Sequence, residues 1–155
     1  MVKKYKLSSS SLAYDYTVVG IVSTLRDFRL CHFVNEALNI KLSRKEDIPV
    51  NAQGSDQVLY FPFYRFYDVS YKINWYLIAN KNHQQQWMMA DLKQLNYFLI
   101  NDGIPSFMQL SDFTAGVKKI PNVLMAQEID LSKSKTLNHL LDDLEMHLLE
   151  LDRTK

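Results

Sequence analysis

Cysteine is nearly absent from this chain. Cys31 is the only one in 155 residues, which excludes an intrachain disulfide and any zinc site built on several thiolates, and makes a reducing compartment the expectation. Glycine is equally scarce at four residues, and neither Gly20 nor Gly103 sits in a G-x-G-x-x-G or Walker pattern, so no dinucleotide or nucleoside triphosphate site is expected. Charge of one sign is also missing. Eighteen Lys and Arg against 17 Asp and Glu leave a net charge of +1, which removes the general electrostatic case for binding a phosphate backbone. No apolar run approaches the roughly 18 residues of a membrane span. The basic stretch Met1–Lys6 leads into serines at Ser8–Ser11 where a secretion signal needs an apolar run, so the expected location is the cytoplasm, with no membrane contact.

What is present is an ordinary core-forming composition, with 47% hydrophobic and 23% charged residues. A chain of this length buries roughly 70% of its unfolded surface in one domain. The expected architecture is a single α+β domain over residues 1–155, with residues 1–15 peripheral and residues 131–155 a C-terminal amphipathic helix. Its sheet is expected to be mixed, mostly antiparallel and of about five strands, with helices on one face.

Hydrophobic periodicity supplies the elements. The run from Tyr16 to Val22 is β-branched and almost unbroken in apolar character, as in a central strand covered on both faces. Thr24 and Asp27 are spaced like a capping box, and Leu30, Phe33, Val34, Ala37 and Leu38 then fall on one helical stripe. Residues 41–57 are polar, contain Pro49 and Gly54, and read as a connecting loop. Val58–Tyr67 and Tyr71–Ala79 predict a hairpin turning near Asp68–Ser70, with Pro62 marking an edge or a bulge. Asn80–Gln86 reads as an exposed turn. Residues 95–129 predict a strand, a short helix from Ser111 to Ile120 ended by Pro121, and a last strand. A short edge strand near Tyr5 and a turn at Ser8–Ser11 complete the N-terminal reading.

Candidate chemistry is thin. His32, His83, His139 and His147 are scattered over separate elements or lie two turns apart, so no metal or cofactor is expected. Cys31 and His32, adjacent on a helix, point about 100° apart and form no attacking pair, which leaves Cys31 as a small buried side chain. Asp27 falls within the first helix's apolar stripe while Arg29 and Asn35 border it; Arg29 offers a cation for a small anion or peptide carboxylate, and Asp27 a cap. The aromatics from Phe61 to Tyr76, including Tyr64 and Trp75, offer a stacking platform for single-stranded RNA, although Arg65 and Lys72 alone supply interleaved charge and a nucleic-acid partner is therefore disfavoured. Leu137, Leu141, Leu144, Leu148 and Leu151 recur at spacings of four and three, a short heptad-like seam suited to a sheet or a protein partner.

The segment Met89-Ala90-Asp91-Leu92-Lys93-Gln94-Leu95-Asn96-Tyr97 resembles the I-P-E-x-x-x-V-D-Y signature of a family of uncharacterised bacterial proteins. Gly20-Ile21, Asp27-Phe28-Arg29-Leu30, Asn35, the aromatic strand around Phe61–Asp68, Tyr76-Leu77-Ile78 and Ile129-Asp130 are similar in order to that family, covering residues from about 16 to 136. In the signature itself Asp91 stands for the family's glutamate and Asn96 for its aspartate, while Tyr97 is identical. The resemblance implies no activity. It adds Asp91, Asn96 and Tyr97 to Asp27, Arg29 and Asn35 as a candidate polar cluster, which as an enzyme pocket would require these side chains to converge. The favoured expectation is a non-enzymatic interaction or structural module, acting on a protein partner or as a homodimer through the leucine seam.

Overall fold

The computed structural model describes residues 16–51, 56–103 and 110–153. In order, these form β1 (Thr17–Ser23), α1 (Asp27–Leu38), β2 (Ser43–Asn51), β3 (Val58–Asp68), β4 (Ile73–Ala79), the 3-10 turn η1 (Ala90–Leu92), β5 (Tyr97–Asn101), α2 (Leu110–Lys118), β6 (Val123–Glu128), the 3-10 turn η2 (Leu131–Lys133) and α3 (Lys135–Arg153). The edge strand expected near Tyr5 and the turn at Ser8–Ser11 lie outside the described residues.

The α+β class holds, with a sheet of six strands in the order β2-β3-β4-β5-β1-β6. Every neighbouring pair among them is antiparallel. The sheet is therefore not mixed. β5 and β6 do run in the same direction on either side of α2, but β1 lies between them and pairs antiparallel with both.

Strand side chains alternate between the two faces of a sheet, and here both faces are buried. Val19, Ile21, Leu77 and Leu99 pack with Leu30 and Val34 of α1 and with Phe113 and Val117 of α2. Val18, Phe63, Tyr76, Ile78, Phe98 and Ile100 face the other way, onto Leu137, Leu140, Leu141 and Leu144 of α3. This two-sided burial accounts for the nearly continuous apolar runs in β1, β4 and β5, a pattern more usual in parallel sheets. α1 and α2 cover one face as expected; α3 closes the other.

Residues 41–57 are not one long loop. Ser43–Asn51 form the edge strand β2, paired with β3 from Ser43↔Arg65 to Asn51↔Val58. Ile48 and Val50 are its contributions to the second core, and the intervening Pro49 is tolerated because the strand is outermost. The ladder is irregular between Lys45 and Ile48, opposite the Phe61–Phe63 stretch that contains Pro62, so the proline sits at a bulge as its chemistry requires. The β3–β4 hairpin turns where expected: Asp68 Oδ1 accepts from the Ser70 and Tyr71 amides, and Lys72 takes a left-handed φ of 57°.

α1 starts without a capping box. Its N-cap is Arg26, whose side chain makes no capping bond. The preceding loop is held instead by distant groups: Ser23 Oγ accepts from the Leu25 amide at 3.1 Å and donates to the Asn122 carbonyl at 2.8 Å, and the Tyr97 hydroxyl donates to the Leu25 carbonyl at 2.6 Å. At the other end of α1, Asn39 adopts the left-handed conformation that closes a helix.

The turn after β4 is exposed at His83–Gln85 but not at Asn80 or Asn82. Asn80 is fully buried. Its Nδ2 donates to the Leu92 and Leu95 carbonyls and its Oδ1 accepts from the Met89 amide, which pins the excursion from β4 to β5 against the sheet. Among the described residues no helix is long and apolar enough to cross a membrane. Because a buried polar group left without partners costs about 1–3 kcal/mol, Asn80→Leu is expected to lower the free energy of unfolding by about 3 kcal/mol, read from urea denaturation, while exposed Gln84→Ala changes it by less than about 0.5 kcal/mol. Equal midpoints for the two variants would contradict the role given to Asn80.

Candidate functional site

The end of the sheet where β1 and β4 finish and β5 begins surrounds a cleft of about 670 Å³, lined in part by Asp27, Asn96 and Tyr97 together with Arg26, Lys81 and His83. The six candidate polar residues do not all meet there. Arg29 is exposed on α1. Asn35 is turned toward the chain entering β2, donating to the Leu42 carbonyl at 3.0 Å and accepting from the Leu42 amide at 2.8 Å. Asp91 accepts from the Thr136 hydroxyl at 3.3 Å, joining η1 to the start of α3. The convergence that an enzyme pocket around Asp27, Arg29, Asp91 and Asn96 requires is not formed.

Within the cleft Asn96, Tyr97 and Asp27 are bonded to the protein's own scaffold. Asn96 Oδ1 accepts from the Ser23 amide at 2.9 Å, its own amide donates to the Ile21 carbonyl, and Tyr97 is committed to Leu25 as above. Asp27 accepts from the Tyr64 hydroxyl at 2.6 Å. Its cation neighbour is Arg44 rather than Arg29, with the guanidinium 4.0 Å from Asp27, 2.5 Å from Asp47 and 5.5 Å from the centre of the Tyr64 ring. Burial, and secondarily the hydrogen bond to Asp27, hold the Tyr64 hydroxyl well above the ordinary phenol range, so it donates and does not act as a base. Arg26 and Lys81 lie over the rings of Phe28 and Trp87. Asp27, Asn96 and Tyr97 thus join the loops that surround the cleft.

The nucleophile and metal candidates sit apart. Cys31 is buried beneath Leu42 and Asn35, and burial, followed by the charge of Asp27, pushes its thiol up to about 11. It is protonated near neutral pH and packs as a small hydrophobe. His32 faces Glu36 at 3.6 Å on exposed helix surface. Among the described residues no group of three His, Cys, Asp or Glu side chains gathers in metal-binding proximity.

The expected stacking platform is mostly interior. Phe61, Phe63, Tyr64, Trp75 and Tyr76 are buried in the two cores, leaving Tyr60, Tyr67 and Tyr71 exposed. Of the two coverings expected for the leucine seam, a sheet or a protein partner, the described residues show the sheet: Leu137, Leu141 and Leu144 are fully buried against it, and Leu148 and Leu151 are half-buried against the same core. One further member of the buried helix face is His147, whose Nε2 lies 3.1 Å from the Glu46 carbonyl oxygen and whose ring meets Phe63 edge-on. Its position three residues after Leu144 is the signal in the sequence that could have placed it there.

Where α3 passes the β2 edge there is a second hollow, a groove of about 510 Å³ to which Pro49, Val58, Tyr60 and Met146 contribute. Met146 is 62% exposed, Tyr60 57% and Val58 42%, so large apolar side chains from separate elements meet at solvent. Sequence reading missed this groove because half of it belongs to β2 and the start of β3. Comparison of the chain with family models, curated proteins and solved structures gives no match in any of the three.

Two outcomes follow from the site geometry. Alkylation of Cys31 by iodoacetamide near neutral pH is expected to be at least tenfold slower in the folded protein than in denaturant, roughly; rapid labelling of the native state would contradict its buried, protonated character. Because Asn96 uses its side-chain oxygen as an acceptor for the Ser23 amide, Asn96→Asp should keep most of the stability, whereas Asn96→Leu should lose about 1–2 kcal/mol in chemical denaturation. Equal losses in both variants would remove that assignment.

Proposed function

We propose that this protein is a non-enzymatic interaction module whose docking surface is the groove between α3 and the β2 edge. The observation that carries this reading is the meeting of Val58, Tyr60 and Met146 at solvent in one concavity, on a protein whose leucine seam is already used inside. Apolar side chains scattered singly on a surface need no explanation, but several gathered in a groove with a polar rim have the character of a contact site. The polar cleft where β1 and β4 end supports the reading indirectly, since Asp27, Asn96 and Tyr97 within it are bonded to the Tyr64 hydroxyl and to backbone at Ser23 and Leu25.

We also propose, on the residues quoted above, that the chain belongs to the I-P-E-x-x-x-V-D-Y family. Asn96 stands where the family has aspartate, and the acceptor bond it makes to Ser23 is one that a carboxylate oxygen supplies equally. Tyr97, the identical position, ties β5 to the loop before α1. On this reading the signature holds loops in place.

The test is capture of partners from cytoplasm by the tagged wild type and by the Tyr60→Ser, Met146→Ser double variant, compared by quantitative mass spectrometry. Both side chains face solvent, so the thermal midpoint should stay within a few degrees of wild type, on the order of the effect of ordinary surface substitutions. Proteins retained by the wild type and lost from the variant support docking at the groove. An identical set from both would overturn it.

A further inference from the structure

We propose that the groove's occupant is a short segment of a different protein that presents lysine or arginine beside apolar anchors. This rests on the docking reading above and adds the chemistry of the partner. The groove's apolar side chains are framed by the carboxylates of Glu46, Asp47, Asp143 and Glu150, with no lysine or arginine among the described residues that line it. Two of the four are compensated within the chain: Asp47 pairs with Arg44 at 2.5 Å and Glu150 with Arg153 at 3.3 Å. Among the described residues Glu46 and Asp143 have no Lys or Arg within ion-pair distance.

Asp143 is the stronger of the two markers. Burial first, and then the neighbouring Asp142, raise its carboxyl above the usual range, against a smaller opposing pull from His139. An ionised carboxylate held this way is relieved by an incoming cation, and the apolar wall at Met146 excludes water from the same contact. A complementary cation is thus the feature that the groove selects for, with the apolar anchors supplying most of the buried area.

The geometry also argues against two other occupants. Strand addition to β2 is poorly supported, because Pro49 has no amide hydrogen to offer along the edge and His147 Nε2 already lies against the Glu46 carbonyl. A second copy docked through the same face would form an isologous contact, bringing one acidic rim against another. The partner is therefore read by its side chains and is a different chain.

The probe is a short synthetic peptide of lysines alternating with leucine and phenylalanine, labelled for fluorescence anisotropy and titrated into the full-length protein at low salt. One control replaces every lysine by glutamate and another replaces every apolar residue by serine. The lysine–leucine peptide is expected to bind, to move the amide resonances of Glu46, Asp143 and Met146, and to lose roughly tenfold in affinity with the Glu46→Gln, Asp143→Asn double variant. Equal binding of the glutamate peptide, equal binding of the lysine–serine peptide, resonance shifts confined to other surfaces, or no binding by any peptide each overturns the inference. Capture that still depends on Tyr60 and Met146 after such a result leaves docking at the groove intact and removes only the assigned chemistry; loss of both removes the docking surface itself.

Discussion

A six-stranded sheet buried on both faces has to be covered twice, and among the described residues α3 is the helix that covers the second face. The rest of the molecule follows from that constraint. Leu137, Leu140, Leu141 and Leu144 are committed to Phe63, Tyr76, Ile78, Phe98 and Ile100, and burial on the order of 1.5–3 kcal/mol per large aliphatic side chain makes this helix a principal source of stability. Tyr16, at the threshold of β1, donates to Glu145 of the same helix, and Thr136 reaches Asp91 on η1. The C-terminal helix is thereby tied to both the beginning and the middle of the fold.

The polar chemistry of the chain serves the same end. Asn80, Asn96, Tyr97, Asn35 and Ser23 each bond backbone groups of a different element, replacing regular capping and turn hydrogen bonds where the chain leaves the sheet. Side chains used in this way fix the paths of the loops that surround the polar cleft. The α3–β2 groove differs in kind: there exposed apolar side chains lie beside four carboxylates, of which Asp47 and Glu150 are paired with Arg44 and Arg153.

The sequence made some of this legible and concealed the rest for identifiable reasons. α3 was readable because its leucines follow the helical period, and β1 and β5 because short unbroken apolar runs mark strands, β1 being recognised as buried on both sides. β2 was hidden: only Ile48 and Val50 of its nine residues face the core, with Pro49 and a charged bulge between Lys45 and Ile48 obscuring the alternation. The contact of Arg44 and Tyr64 with Asp27 depends on β2 and β3 being placed first, so the spacing around Asp27 identified neither partner. The leucine seam correctly announced an amphipathic helix, yet periodicity specifies that a helix has an apolar face and not which surface covers it.

That last distinction decides the proposal, because a seam covered internally leaves the groove as the proposed docking surface, and a seam left open would move it to the leucines. Hydrogen–deuterium exchange of the intact protein at low and at high micromolar concentration separates the two. If α3 covers its own sheet, the amides from Leu137 to Leu144 exchange slowly and at the same rate at both concentrations. Protection of that stretch that appears only as concentration rises would show the seam to be an intermolecular contact and contradict the fold-based assignment of the docking surface.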